Sequence, residues 1–268
     1  MIRKTAAYYF LFSLAFVCMQ RANGQNASLL GDGTDDYIRR SQLLGRISLE
    51  SGLMNRSFSS NLSALDSVLD WKPKLQIKTK YAIRFDILPV SVTGQFNSHH
   101  PWGGNDGSMI PAKGFQTAVS AGFALHTNHF SIQVRPEFIA AQNSDFQTFP
   151  TDMADQYWTQ YYRWLNSSDL PEKFGNGAYT KVLAGQSSIR FNTHNLSLGL
   201  STENMWWGPG YFNALVMSNN APGFLHGTLN TIKPFVTGIG TFEGQIIGGS
   251  LRGSGILPPE RNRYNSLG

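Results

Sequence analysis

The stretch FQTAVSAGFALHTNHFSIQVRPEF, residues 115–138, alternates on both sides of a short polar centre. Before the centre, Phe115, Thr117, Val119, Ala121, Phe123 and Leu125 share one parity, and Gln116, Ala118, Ser120, Gly122, Ala124 and His126 the other. After His126-Thr127-Asn128-His129 the pattern resumes as Phe130, Ile132, Val134, Pro136 and Phe138 against Ser131, Gln133, Arg135 and Glu137. Successive side chains of a strand point to opposite faces, so the stretch predicts a hairpin of two strands, each with an apolar and a polar face. Each arm is close to the roughly 9–11 residues with which a tilted strand crosses a bilayer. A soluble antiparallel sandwich also alternates, but its strands average about 5–6 residues.

The same period of two runs through Ile77, Thr79, Tyr81, Ile83, Phe85 and Ile87 against Lys78, Lys80, Ala82, Arg84 and Asp86. A second hairpin places Ser187, Ile189 and Phe191 before the turn Asn192-Thr193-His194, and Leu196, Leu198 and Leu200 after it. Segments 225–233 and 241–251 alternate less cleanly because of Gly244, Gly248 and Gly249, which brings the expected strands to seven. Turns near 127, 193 and 237 are tight, whereas 93–113, 142–182 and 204–224 read as long loops rich in Gly, Asn and aromatics. Short turns at one end and long loops at the other predict an all-β, antiparallel transmembrane β-barrel over residues 75–268.

The N-terminus differs in character. Arg3 and Lys4 precede an uncharged apolar run from Ala6 to Met19 and then Arg21-Ala22-Asn23-Gly24, the pattern of a secretory signal peptide over 1–24 cleaved after Gly24. The single cysteine, Cys18, lies in that run, so the exported chain is expected to fold without disulfides. Residues 1–24 hold three of the 22 basic residues and no acidic one, which leaves 19 basic against 17 acidic, or +2. That balance gives no case for nucleic acid. Asp35-Asp36 before Tyr37-Ile38-Arg39-Arg40-Ser41-Gln42-Leu43-Leu44 and Gly45 predicts a capped helix, with a second short helix over Asn61–Leu69. If the first strand rises from the periplasm, residues 25–74 form a small periplasmic helical segment beneath the barrel.

There is no Gly-x-Ser-x-Gly elbow, His-Glu-x-x-His, phosphate-binding glycine loop or cysteine cluster, so neither an enzyme, a cofactor nor a metal site is expected. His99-His100 reads as a surface pair, and His126, His129 and His194 as solvated turn residues. On the alternation, Arg84, Asp86, Arg135, Glu137 and Arg190 all point away from lipid, where a charge would cost about 2–4 kcal/mol at the midplane. Their plainest role is a wet, salt-bridged interior. Alternatively, with Glu203, the arginines attract an acidic polymer. Trp206-Trp207-Gly208-Pro209-Gly210 should form a rigid turn at the outer loops, with Asn204, Asn213, Asn219 and Asn220 nearby. Rings beside amides suit sugars, and equally suit the aromatic girdle of any barrel.

Four segments carry a resemblance: Asp169-Leu170-Pro171-Glu172-Lys173-Phe174-Gly175, Gly185-Gln186-Ser187-Ser188-Ile189-Arg190, Ser201-Thr202-Glu203-Asn204-Met205-Trp206-Trp207-Gly208-Pro209-Gly210 and Ser218-Asn219-Asn220-Ala221-Pro222. In these the chain resembles the Wzi-type capsule assembly family of outer-membrane proteins, in its Bacteroidetes-like form. The resemblance implies an 18-stranded barrel with a helical bundle on its periplasmic side, acting as a lectin that holds capsular polysaccharide. It implies a monomeric barrel in outer-membrane lipid, of which seven strands would be an incomplete part. Trp206, Trp207, Gly208, Pro209, Gly210, Asn219, Asn220, Glu203, Arg84, Arg135 and Arg190 are the candidate contacts. A diffusion channel or transporter pore is the alternative on the same architecture, and an outer-membrane lipase or protease a more distant one.

Overall fold

A computed structural model describes residues 34–46, 55–56, 76–78, 83–169, 171–210, 212–251, 253–256 and 264–267. The expected signal peptide and the expected helix at 61–69 lie outside the described residues. Helix α1 (Thr34–Leu43) and the two-residue strand β1 (Asn55–Arg56) come first. The sheet is built from β2 (Gln76–Lys78), β3 (Arg84–Trp102), β4 (Ala112–His126), β5 (Phe130–Val134), β6 (Glu137–Ala141), β7 (Tyr179–Leu183), β8 (Ser188–Asn192) and β9 (Leu196–Ser201). It continues, after the short β10 (Trp206–Trp207), with β11 (His226–Thr231), β14 (Gln245–Leu251) and β15 (Tyr264–Leu267). Helix α2 (Asp155–Ser168) sits in the loop between β6 and β7, and β12 (Phe235–Thr237) and β13 (Gly240–Phe242) form a separate hairpin.

These strands make one 11-stranded sheet in the order β15-β14-β11-β9-β8-β5-β4-β3-β2, with β6 also on β4 and β7 on β6. Every ladder in it is antiparallel. β5 and β6 pair with β4 in one unbroken register, interrupted where Pro136 has no N–H to give, so they are two halves of one long strand. β7 and β8 also run end to end along that strand, with a one-residue shift of register between them, and the whole is a meander.

The sidedness of the sheet is inverted relative to a soluble protein. On one face lie Val92, Phe96, Phe115, Phe123, Phe130, Val134, Phe138, Val182, Ile189, Phe191, Leu196, Leu198, Leu200 and Ile246, all exposed. On the other face Asp86, Gln116, Ser131, Gln133, Arg135, Ser188, Arg190, Asn192, Ser197, Ser201, His226 and Thr228 are buried. Among the described residues, the apolar core that packs inward is small: Ile110, Ala112 and Ala141 with Phe174 and Tyr179 against them. A sandwich buries its apolar face, so the soluble alternative does not fit this arrangement.

Three expectations need correction. The run from Ile77 to Ile87 is not one strand, since Ile77 pairs with Phe85 and Lys78 with Arg84 in an antiparallel ladder, so the chain reverses between them. Residues 93–113 are largely strand: β3 reaches Trp102 and β4 starts at Ala112, leaving a connection of only 103–111. The alternation was lost because one extra residue bulges from β3 between the pairs Leu88–Gly122 and Ser91–Ser120. That bulge moves the outward apolar parity from Phe85 and Ile87 to Val90, Val92 and Phe96. Finally, 142–182 contains α2 and most of β7, not only loop. The tight turns at 127 and 193 form as read, closed by Thr127 N–H to Phe130 O at 2.8 Å and Thr193 N–H to Leu196 O at 2.9 Å.

Candidate functional site

Irregularities in three neighbouring strands fall at one height. The β3 bulge, Pro136 and the break at 184–187 lie side by side, tied together by Arg135. Its N–H donates to Ser187 Oγ at 2.9 Å, its carbonyl accepts Gln186 N–H at 3.0 Å, and its Nη2 reaches Pro89 O at 3.5 Å. Gly122 and Gly185 permit this approach, because a Cβ would stand 2.1 Å from Val134 O or 2.4 Å from Arg135 O respectively. Bulges re-aim side chains, and here they open a cavity of about 330 Å³ on the polar face.

The cavity is lined from below by Ser91, Thr93, Gln95, Ala118, Ser120, Arg135, Glu137 and Gln186, and from the loop side by Asn105, Asp106, Ser108, Met109 and Asn219. Gln186 is its hub. Its Nε2 donates to Glu137 Oε1 at 3.0 Å and to Asn204 Oδ1 at 2.9 Å, and its Oε1 accepts Asn204 N–H at 2.9 Å. Ser108 Oγ donates to the second oxygen of Glu137. Burial raises the Asp106 carboxyl above the ordinary carboxylate range, with hydrogen bonds from its own and the Gly104 backbone pulling the other way.

Below this hub lies a buried ion pair. Arg190 Nη2 donates to Glu203 Oε2 at 2.5 Å, and Glu203 also accepts from Ser188 at 2.9 Å, Ser201 at 3.1 Å and Gln133 at 3.3 Å. Arg190 Nη1 continues to Asn230 at 3.0 Å. Gly199 makes room for the arginine stem, since a Cβ there would be 2.8 Å from Arg190 Cγ. Arg84 is separate, near the turn end, where its Nε meets Asp86 at 2.7 Å with His126 beside them at 3.8 Å. So Arg84 and Arg190 already face carboxylates of the chain itself, and only Arg135 of the three lines the cavity.

Neither tryptophan is an open ring. Trp206 is 4% exposed and its Nε1 donates to Gly210 O at 2.9 Å, while Trp207 is half-buried and donates to Gln245 Oε1 at 3.0 Å. Their backbone pairs with β1, Trp207 opposite Asn55 and Trp206 opposite Arg56, and Arg39 of α1 donates to Pro209 O. Gly208 is required by its φ of +123°, and Gly210 by the 2.4 Å that a Cβ would leave to Asn213 O. Asn219 and Asn220 clamp two loops together. Asn219 O accepts Gly107 N–H at 2.8 Å, its side chain bonds Asn204 at 2.6 Å and Asn105 O at 3.2 Å, and Asn220 Oδ1 accepts Asn105 N–H at 2.6 Å.

Of the histidines, His194 and the His99-His100 pair are exposed, but His126 is buried on the polar face rather than solvated in its turn, because its parity points inward. Gln133, Gln186 and Asp106 were not singled out from sequence. Gln133 shows inward parity and Gln186 lies inside a quoted segment, so the signal was there; Asp106 sits in a connection that alternation does not describe. The Asp169–Gly175 segment proves to be a loop anchor. Asp169 accepts from the Ser254 N–H and Oγ, both at 2.6 Å, Glu172 accepts Phe149 N–H at 3.1 Å and the Tyr161 hydroxyl, Lys173 pairs with Asp145, and the carbonyls of Phe174 and Gly175 accept from Asn143.

Among the described residues no group of three metal-ligating side chains converges. A family model described as Capsule assembly protein Wzi matches residues 101–264. No curated protein and no solved structure gives a significant match. The match takes in the cavity's lining apart from its β3 residues, the buried ion pair and all four segments that carried the resemblance, and it spans more than half of the chain. The chain belongs to the Wzi capsule assembly family.

Proposed function

We propose that this chain forms part of a closed outer-membrane barrel that attaches capsular polysaccharide to the cell surface without catalysing a reaction, and that the cavity around Gln186 is where sugar is held. The observation that carries the reading is the inverted sheet: apolar side chains point outward along its strands, and the opposite face buries charged and amide groups. Such a sheet is stable where its outside meets hydrocarbon. A cavity walled by hydroxyls, amides and carboxylates can exchange hydrogen bonds with sugar hydroxyls, and about 330 Å³ is the low end of the size range of small-ligand sites.

A freely conducting pore is the weaker reading. Loops separated by several strands are bonded to one another at the loop end, Gly107 to Asn219 and Asp169 to Ser254, which narrows any aqueous path. The test is Ser120→Phe, which fills the cavity from an inward position and leaves the lipid face unchanged. Capsule retained on cells should fall while the amount of protein in the outer membrane stays the same. Undiminished capsule with normal insertion would contradict the assignment.

A further inference from the structure

The charges around the cavity have a direction. Two carboxylates and one guanidinium line it, those of Asp106, Glu137 and Arg135. Arg135 is engaged below, at Pro89 O. Glu137 is held by neutral donors, Ser108 Oγ and Gln186 Nε2. Asp106 takes the Gly104 N–H at 3.2 Å, and no cationic side chain pairs with it among the described residues. Asn105 Oδ1, buried beside it, has no hydrogen-bond partner. The lining thus carries two carboxylates against one guanidinium, and neither carboxylate is paired with a cationic side chain among the described residues, so its excess charge is negative. An anionic ligand would meet like charge in a partly desolvated space, whereas a ligand rich in N–H and O–H donors would complete the set.

We infer that the cavity selects a sugar bearing an amine or hydroxyl donors only, and turns away sugars that carry a carboxylate. This rests on the polysaccharide reading above and reverses the attraction for acidic sugars that three arginines suggested in the sequence, because two of those arginines are neutralised within the chain. Raised by burial, the Asp106 carboxyl is also the group whose ionisation would govern an amine's affinity.

The full chain in detergent, titrated with glucosamine oligomers, neutral glucose oligomers and galacturonate oligomers of equal length, tests this. The inference expects the amino sugar to bind roughly tenfold more tightly than the uronate. Asp106→Asn, which keeps an acceptor for Gly104, should remove most of that difference, while the exposed Asp145→Asn should leave it intact. Equal or tighter uronate binding would overturn the inference and leave the polysaccharide reading standing. Failure of all three oligomers to bind would overturn both.

Discussion

Glu203 is the residue whose chemistry reaches furthest through the interior, because one carboxylate satisfies Arg190, Ser188, Ser201 and Gln133 together. Removing one partner of a buried pair leaves an uncompensated charge, at a cost of about 3–5 kcal/mol. Glu203→Ala should therefore unfold in detergent at clearly lower urea than the parent chain, read by heat-modifiable gel mobility. Glu203→Ala with Arg190→Met should recover much of the loss; no recovery would show that the pair is not the cause. Asp106 gives a pH prediction. Its folded pKa lies above the ordinary 3.8, so its ionisation opposes the fold: the contribution is fully present below 3.8 and is lost as pH rises through the folded value. Asp106→Asn should flatten the fall in stability above pH 3.8, seen as a smaller difference in melting temperature between acidic and neutral buffer. The inward parity of Arg190, Arg135 and Glu137 was legible from sequence, since alternation alone sets it. The Gln186 side chain that holds Glu137 was not, because it reaches its contact across a strand break that no period records.

Among the elements, the hairpin of β4 with β5 and β6 was readable almost to the residue, because both arms keep one parity from end to end. β3 was not: its bulge at Leu88–Ser91 shifts the apolar parity, so a strand of 19 residues looked like a short one followed by a loop. Helix α2 escaped notice because its aromatic residues pack on Phe149 and on one another rather than on the sheet, Phe149 stacking on Tyr161 with centroids 4.5 Å apart. Desolvation, helped by the Glu172 hydrogen bond, pushes the Tyr161 phenol above its ordinary range, so it stays a donor at neutral pH. The C-terminal end of α2 is held by Asp169, which adopts φ +46° and grips Ser254. Asp169→Gly keeps that backbone conformation available and removes both acceptors. Amide exchange over 253–256 should then quicken about tenfold or more, as expected for loss of a charge-assisted hydrogen bond, with exchange in β4 unaltered. Unchanged exchange at Ser254 would show that the contact does not restrain the loop.

Taken together, the sheet runs from β2 at one end to β15 at the other, with a polar face that collects ion pairs, amides and a cavity under interlocked loops. The loops meet over that face, so purified protein in a planar bilayer should pass little current; large, steady openings would favour the pore. Composition concealed the architecture, since hydrophobic content is only 41% and no helix among the described residues is long and apolar enough to span a membrane. Period two revealed it, because the outward apolar residues occupy every second position. The most direct check is spin-label accessibility along β4 in lipid bilayers, one cysteine at a time from Phe115 to Ala124. Oxygen collisions should peak at 115, 117, 119, 121 and 123 and fall at 116, 118, 120, 122 and 124, with the polar relaxant showing no such peaks at the odd positions. Equal exposure of both parities to the polar relaxant, or an inverted pattern, would contradict a sheet whose apolar face meets lipid.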